Sequence, residues 1–269
     1  MTADIKTWQR PNFEPDGRTA EVIFYVFADR ALDLASPMSR SRHGIPGGFS
    51  PASLDIRQHL LQESPDWFEG FFSPEMLGVA NAELSGQTDA LVGTTAVYSV
   101  SVRQQEPEDL AYLQGAWAAA KWLCERGALF VHDAHPIRWH AAGEVNALAP
   151  DRAFEIRREV NLVFETDPSG DFGHLCHTRG LAKFARPDIV LLGAAKDDAP
   201  ACGALLNGLA SRAASGAALA AGQTVAPTGL PRRTLAEYLP GVVHPEVHLN
   251  NDGLVLDIRG WGLPSPSDG

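Results

Sequence analysis

Residues 90–131 read as a strand, a capped helix and a second strand, and no other stretch restricts the fold as tightly. From Ala90 to Val102, the side chains of Val92, Thr94, Ala96, Tyr98, Val100 and Val102 fall on one side of an extended chain. Gly93, Thr95, Val97, Ser99 and Ser101 fall on the other, because successive strand residues point to opposite faces. A helix is predicted over 107–126. Pro107 suits its first turn, and Glu108 and Asp109 suit the positive end of its dipole. Leu110, Leu113, Trp117, Ala120 and Cys124 then form one apolar stripe at helical spacing. Arg126 closes the last turn and Gly127 offers a left-handed cap. Ala128–Val131 follows as a short buried strand, so the whole is a βαβ unit with a right-handed crossover expected.

Around this unit the chain alternates between strands and helices. Glu21–Phe27 has the β-branched and aromatic content of a strand. Residues 36–51, rich in Ser, Arg, Gly and Pro, read as a flexible surface loop with a small basic cluster at Arg40, Arg42 and His43. Ser50-Pro51 resembles a helix cap followed by Pro at the first helical position, and predicts a helix to about Glu63 with Leu54, Ile56 and Leu61 inward. The aromatic run from Asp66 to Phe72 is read as a core anchor in preference to a ligand-stacking patch, and Ser73-Pro74 opens another helix to about Ala82. Residues 149–157 predict a short helix, Glu159–Glu165 a strand, and Asp167–Gly170 a turn into the strand beginning at His174. A basic turn leads into the aliphatic strand ending at Leu192. A helix over 199–215, stopped by Gly216, is followed by a C-terminal hairpin of Val242–Asn250 against Leu254–Ile258 within a terminal segment 240–269. The expectation is one α+β domain over residues 1–269. Its sheet is mainly antiparallel, with the 107–126 and 199–215 helices on one face and a ferredoxin-like core.

The chain has 269 residues, enough to bury a core without disulfides or a structural metal. Its formal charge of −11 disfavours a general nucleic-acid binder, since neutralising phosphates needs a basic surface, and suits a protein partner with a basic surface. Cys124, Cys176 and Cys202 are odd in number and far apart, with no CxxC, so neither a disulfide framework nor a cysteine-rich zinc site is expected. The first residues show no apolar run after their charges, and no segment reaches the ~20 apolar residues of a membrane span. A cytoplasmic protein without membrane contact is therefore expected. Its oligomeric state is not set by the sequence.

Nine histidines raise the question of a metal. His174 and His177 are three apart on a predicted strand, so they point to opposite faces and cannot share an ion. His132 and His135 fall in a predicted polar turn, with Asp133 and His140 nearby. Side chains in a turn can converge, but a metal site there is the disfavoured reading, and no metal or other cofactor is expected. Cys176 beside His174 and His177 raises the question of an activated thiolate, but no third, orienting residue can be named, and a buried packing role is preferred. GxSxG, GxxxxGK, GxGxxG after a strand and HExxH are all absent, so catalytic residues stay unassigned. The remaining feature is local charge. Between His174 and Pro187 stand Arg179, Lys183 and Arg186 with no acid among them. Arg179, Arg186 and His177 are the candidate ligand contacts, for a carboxylate or phosphate. The competing and preferred reading pairs the basic residues with acids elsewhere, such as Glu159, Glu165 or Asp188.

The run HTRGLAKFARPDIVL, with the later LLNGLA and Gly222-Gln223-Thr224-Val225, resembles a family of uncharacterised bacterial cytosolic proteins with a TRGxxxFGRPD-like signature. Thr178, Arg179, Gly180, Phe184, Arg186, Pro187 and Asp188 match, while Ala185 stands where Gly is expected, implying a less tightly bent turn. The similarity covers about residues 90–226, including the tryptophan-bearing helix, and implies an α+β fold with no activity to carry over. The function expected is that of a non-enzymatic cytosolic binding protein, such as an immunity- or adaptor-type partner of a bacterial effector. The alternative is a hydrolase or transferase with dispersed active-site residues around His132–His140 or His174–Arg186.

Overall fold

A computed structural model describes residues 5–165, 174–225, 232–238 and 249–259. The fold is α+β and mainly antiparallel, but the single sheet expected from the sequence is replaced by two. The chain forms two compact units, each with its own five-stranded sheet and its own long helix.

The first unit comprises Met1–Gln9, Glu21–Gln104 and Asp109–Phe154. Its elements are β1 (Thr19–Ala28), α1 (Arg40–His43), β2 (Asp55–Leu60), α2 (Pro65–Glu69), α3 (Pro74–Glu83), α4 (Thr88–Val92), β3 (Ala96–Gln105), α5 (Ala111–Cys124), β4 (Phe130–Asp133), β5 (Arg138–Ala141) and α6 (Ala142–Asn146). The strand order is β2-β3-β1-β4-β5. β2 and β4 run antiparallel to β3 and β1 respectively, and the bonds Thr95 N to Ala28 O and Glu106 N to Arg18 O run β3 against β1. β3 and β4 are therefore parallel with β1 between them, joined through α5. β1 and β2 are likewise parallel across β3. Two split crossovers in this order are the ferredoxin-like core. The first crossover, residues 29–54, carries the single turn α1 and the 3-10 turn Pro51–Ser53 in place of a full helix, and α1 packs on α5.

α5 is more deeply buried than its stripe implies. All of its residues are buried, including Lys121, whose Nζ donates to Leu148 O at 2.6 Å. Gly115 makes this possible on one side, since a Cβ there would stand 2.0 Å from the Phe49 ring. Ala96, Tyr98, Val100 and Val102 are buried on one face as the alternation requires, and Trp117 of α5 meets Phe24 of β1 at 4.6 Å between ring centroids. The opposite face is partly covered by the insertion between β2 and β3. There Phe68, Ala80 and Leu84 pack with Phe27, Val97, Phe130 and Trp139, so Phe68 anchors the aromatic run in the core, while Trp67, Phe71 and Phe72 are only partly buried.

Several local expectations are corrected in this unit. The helix predicted from Ser50-Pro51 to Glu63 is one 3-10 turn, Pro51–Ser53, followed by β2. The Ser50 side chain makes no capping bond, and residues 55–60 are extended instead, each paired with a residue of β3. The 36–51 segment is not simply solvated, since His43, Ile45 and Phe49 are buried. The His132–His140 turn is a β-hairpin whose two end histidines lie within strands. The predicted strand from Ala90 starts at Ala96, after α4, and α5 starts at Ala111 in place of 107.

The second unit comprises Arg10–Ala20, Gln105–Glu108 and Glu155–Gly269. It holds α7 (Ile156–Glu159), β6 (Asn161–Glu165), β7 (His174–Arg179), β8 (Asp188–Ala194), α8 (Ala199–Ala214), β9 (Thr224–Val225), β10 (Arg233–Thr234), β11 (Ala236–Glu237) and β12 (Gly253–Asp257). The helix predicted over 149–157 is only α7. The main sheet has the order β11-β12-β8-β7-β6, with β8 and β12 parallel and the other pairs antiparallel. α8 buries Cys202, Leu206, Leu209, Ala210, Ala213 and Ala214, and a second cluster gathers Leu175, Val190, Leu192, Tyr238 and Val255. Of the predicted C-terminal hairpin, Leu254–Asp257 is in β12, paired with β8 and β11; residues 242–248 lie outside the described residues, as does the predicted turn at Asp167–Gly170.

Candidate functional site

The corner between β7 and β8 holds the residues with the most distinctive pattern in the sequence. Arg186 is 1% exposed. Its Nε donates to Ala217 O at 2.9 Å, its Nη1 to Ala185 O at 2.9 Å, and its Nη2 to Glu14 O at 2.7 Å and to Gly216 O, while Nη1 pairs with Asp16 at 3.0 Å. Arg10, which no local sequence pattern marks, is also buried. It donates to the carbonyls of Ala214, Phe184 and Pro107. Between them the two guanidinium groups satisfy carbonyls at and just beyond the C-terminal end of α8, where a helix leaves acceptors unpaired and its dipole favours a cation. Lys183 and Glu159 are both buried and paired at 2.8 Å.

The Thr178 hydroxyl donates to Asp188 Oδ1 at 2.8 Å and accepts from Ile189 N at 2.9 Å. Asp188 also receives Asn251 Nδ2 at 3.0 Å and Leu181 N at 3.3 Å. Burial dominates at this carboxylate and raises its pKa to about 6, against the lowering effect of those hydrogen bonds and of His177. Gly180 has φ +117°, and a Cβ there would stand 2.5 Å from Glu159 O. Ala185 adopts φ +55° in place of the relaxed turn expected from its side chain.

His177 is fully buried. Its Nε2 lies 2.9 Å from Glu165 Oε1 and its Nδ1 3.1 Å from Thr178 O. Arg179 is the more accessible of the candidate ligand contacts. Its Nη2 is 3.9 Å from the same Glu165 oxygen, and its Nε has no hydrogen-bond partner. The structure thus brings His177 and Arg179 together on Glu165 and holds Arg186 elsewhere, on Asp16 and backbone carbonyls. Cys176 is buried, and hydrogen bonding with Cys202 together with burial holds its thiol above the ordinary range, the reverse of an activated thiolate.

The hairpin β4–β5 is the second region marked by the sequence. His132 stacks on Tyr25 and against Trp139, with ring centroids 6.2 and 4.6 Å away. Neither of its ring nitrogens has a hydrogen-bond partner. Burial, reinforced by His140, lowers its pKa to about 3. His135 Nε2 lies 3.8 Å from Glu21, and His140 packs edge-on against Trp117. Among the described residues, no group of three or more His, Cys, Asp or Glu is placed to hold a metal.

Open space with convergent polar groups lies instead over the uncovered part of the first sheet. Here the helical insertion stops short, leaving a groove of about 600 Å3. β1 contributes Glu21, Ile23 and Tyr25, β3 contributes Ser99, Ser101 and Arg103, and β2 contributes Asp55, Arg57 and His59, with Trp67 at one end. The register explains the convergence, because Asp55 pairs with Ser101, Arg57 with Ser99 and His59 with Val97, placing these side chains on one face. Arg103 Nε donates to Glu21 at 2.6 Å and Arg57 pairs with Asp55 at 2.7 Å. His59 Nε2 lies 3.1 Å from Ser99 Oγ, and its ring stacks on Trp67 at 4.2 Å. Burial, then Arg57, lowers the His59 pKa; burial, then Glu21, raises that of Tyr25. The signal for this site lies in the alternation of residues 97–103, whose polar half looks in sequence like the solvated side of a strand, while the helix-start signal at Ser50-Pro51 hides the strand state of residues 55–59.

Comparison with protein-family models, curated proteins and solved structures finds no match for the chain. Among the described residues, no helix is long and apolar enough to cross a membrane.

Proposed function

We propose that the chain acts by binding, without catalysis, and that the groove over β1, β2 and β3 is where it binds. The observation that carries this reading is the convergence of polar side chains from three strands on open space, beside an aromatic wall, in a groove of about 600 Å3. That volume lies within the ~300–1,000 Å3 of small-ligand sites. The rigid sheet places these groups without a mobile loop, which limits the ordering cost of binding. A thermal-shift screen of sugars, amino acids, nucleotides and short peptides tests it. A compound that stabilises the wild type and not the groove-filling variant Ser101→Trp supports the groove. A compound that stabilises both equally places binding elsewhere.

Two other readings each have one supporting observation. A partner of the immunity or adaptor type with a basic surface is supported by the formal charge of −11, and would be recovered in a stoichiometric complex sensitive to salt. Hydrolase or transferase chemistry is supported at a place not marked by the sequence, the contact of His59 Nε2 with Ser99 Oγ. An imidazole with a lowered pKa beside a hydroxyl is the start of a nucleophile and base pair. Loss of a measured turnover in Ser99→Ala, with the fold intact, would establish it.

A further inference from the structure

The geometry points to a neutral, polyhydroxylated ligand, a short oligosaccharide, as the occupant of the groove over β1, β2 and β3; this rests on the groove being the binding site. The first ground is charge. The lining holds two acids and two guanidinium groups, and each acid is paired with a guanidinium, Glu21 with Arg103 and Asp55 with Arg57. Such a surface presents no unbalanced charge to a phosphate, a carboxylate or a cation, whose desolvation would go uncompensated. It retains hydrogen-bonding capacity all the same. A paired carboxylate keeps free acceptor positions and a paired guanidinium keeps free N–H groups. Set side by side, the two suit a pair of neighbouring hydroxyls, one donating and one accepting.

The second ground is the remaining lining. Ser99 and Ser101 add hydroxyls that both donate and accept, and the neighbouring wall is aromatic, formed by Tyr25 and by Trp67 stacked on His59. A sugar ring offers a C–H face to an aromatic wall and hydroxyls around its edge, which matches both parts. A nucleic acid would bring unneutralised phosphates to a surface with no net positive charge. An apolar ligand would leave the paired charges buried without water.

Saturation-transfer NMR on the full chain, with maltotriose, cellotriose and chitotriose as neutral probes and glucose 6-phosphate and the peptide Lys-Gly-Glu as charged ones, tests the assignment. The expected result is transfer to at least one trisaccharide, weakened at least tenfold in both Ser101→Trp and Arg57→Ala. Arg57 is exposed, so its variant keeps the native thermal midpoint and serves if Ser101→Trp does not fold. Transfer confined to a charged probe, and lost in Ser101→Trp or Arg57→Ala, would overturn the saccharide assignment and leave the groove standing. Binding that neither substitution weakens, or no binding by any probe, would overturn both.

Discussion

Breaking the buried pair of Lys183 and Glu159 should destabilise the second unit severely. The two side chains are 0% and 1% exposed, with Nζ and Oε2 2.8 Å apart. At an effective dielectric of ~20, Coulomb attraction at that distance is about 6 kcal/mol. Removing two charges from water costs several kcal/mol each, so the pair as a whole contributes little net stability. Removing one partner withdraws that attraction while the other charge stays buried. Lys183→Met is therefore expected to cost about 3–5 kcal/mol, and Glu159→Leu a similar amount. The double variant should cost much less than the sum, with a coupling of at least about 2 kcal/mol. Urea unfolding monitored by circular dichroism, with the midpoint and slope fitted for all four proteins, gives these values. Single variants that each cost under about 1 kcal/mol, or an additive double variant, would refute the placement of this pair in a dry core.

Four further outcomes follow from particular residues. Gly180→Ala should cost at least about 2 kcal/mol, because φ +117° is strained for alanine and the added Cβ meets Glu159 O at 2.5 Å. Ala185→Gly at φ +55° should stay within about 1 kcal/mol, relief of strain being offset by lost burial and by a freer unfolded chain. His132, with a folded pKa of about 3 against an ordinary 6.5, stays neutral in the native chain while the unfolded chain takes up a proton. Its contribution is present above 6.5 and is lost as pH falls toward 3, about 2 kcal/mol by pH 5. Asp188, raised to about 6, acts in the opposite sense, stabilising below about 3.8 and ceasing to do so as pH rises through 6. His132→Phe should therefore remove about 2 kcal/mol of acid sensitivity between pH 7 and pH 5, read from urea midpoints at both values. The three buried cysteines, with Cys124 pushed up to about 12 by burial, should stay silent to a thiol reagent at pH 8 until the chain is unfolded, as followed by absorbance.

The parts of the fold legible in the sequence are those where local pattern and tertiary packing agree. The stripe of Leu113, Trp117, Ala120 and Cys124 and the cap at Gly127 mark α5, and the alternation of Ala96, Tyr98, Val100 and Val102 marks β3. The preferred pairing of the basic residues at the β7–β8 corner with acids elsewhere is seen for two of them: Lys183 pairs with Glu159 and Arg179 lies by Glu165. Arg186 pairs with Asp16, a long-range partner that no local pattern announces. β2 is not legible locally because Ser50-Pro51 carries a helix-start signal, whereas its strand state depends on pairing with β3 about forty residues away. The division into two five-stranded sheets is hidden because neither unit is continuous in sequence. Residues 10–20 and 105–108 belong with the second unit although they flank strands of the first. The groove was hidden for the same reason, since Glu21, Arg57 and Ser99 become neighbours only through sheet register.

Whether the groove binds a ligand is most directly tested by amide chemical-shift mapping of the isotopically labelled chain with the compound that the screen returns. Shifts concentrated in 21–25, 55–59 and 99–103, and absent in Ser101→Trp, are the expected result. Shifts concentrated instead in 174–188, around His177 and Arg179, would contradict it.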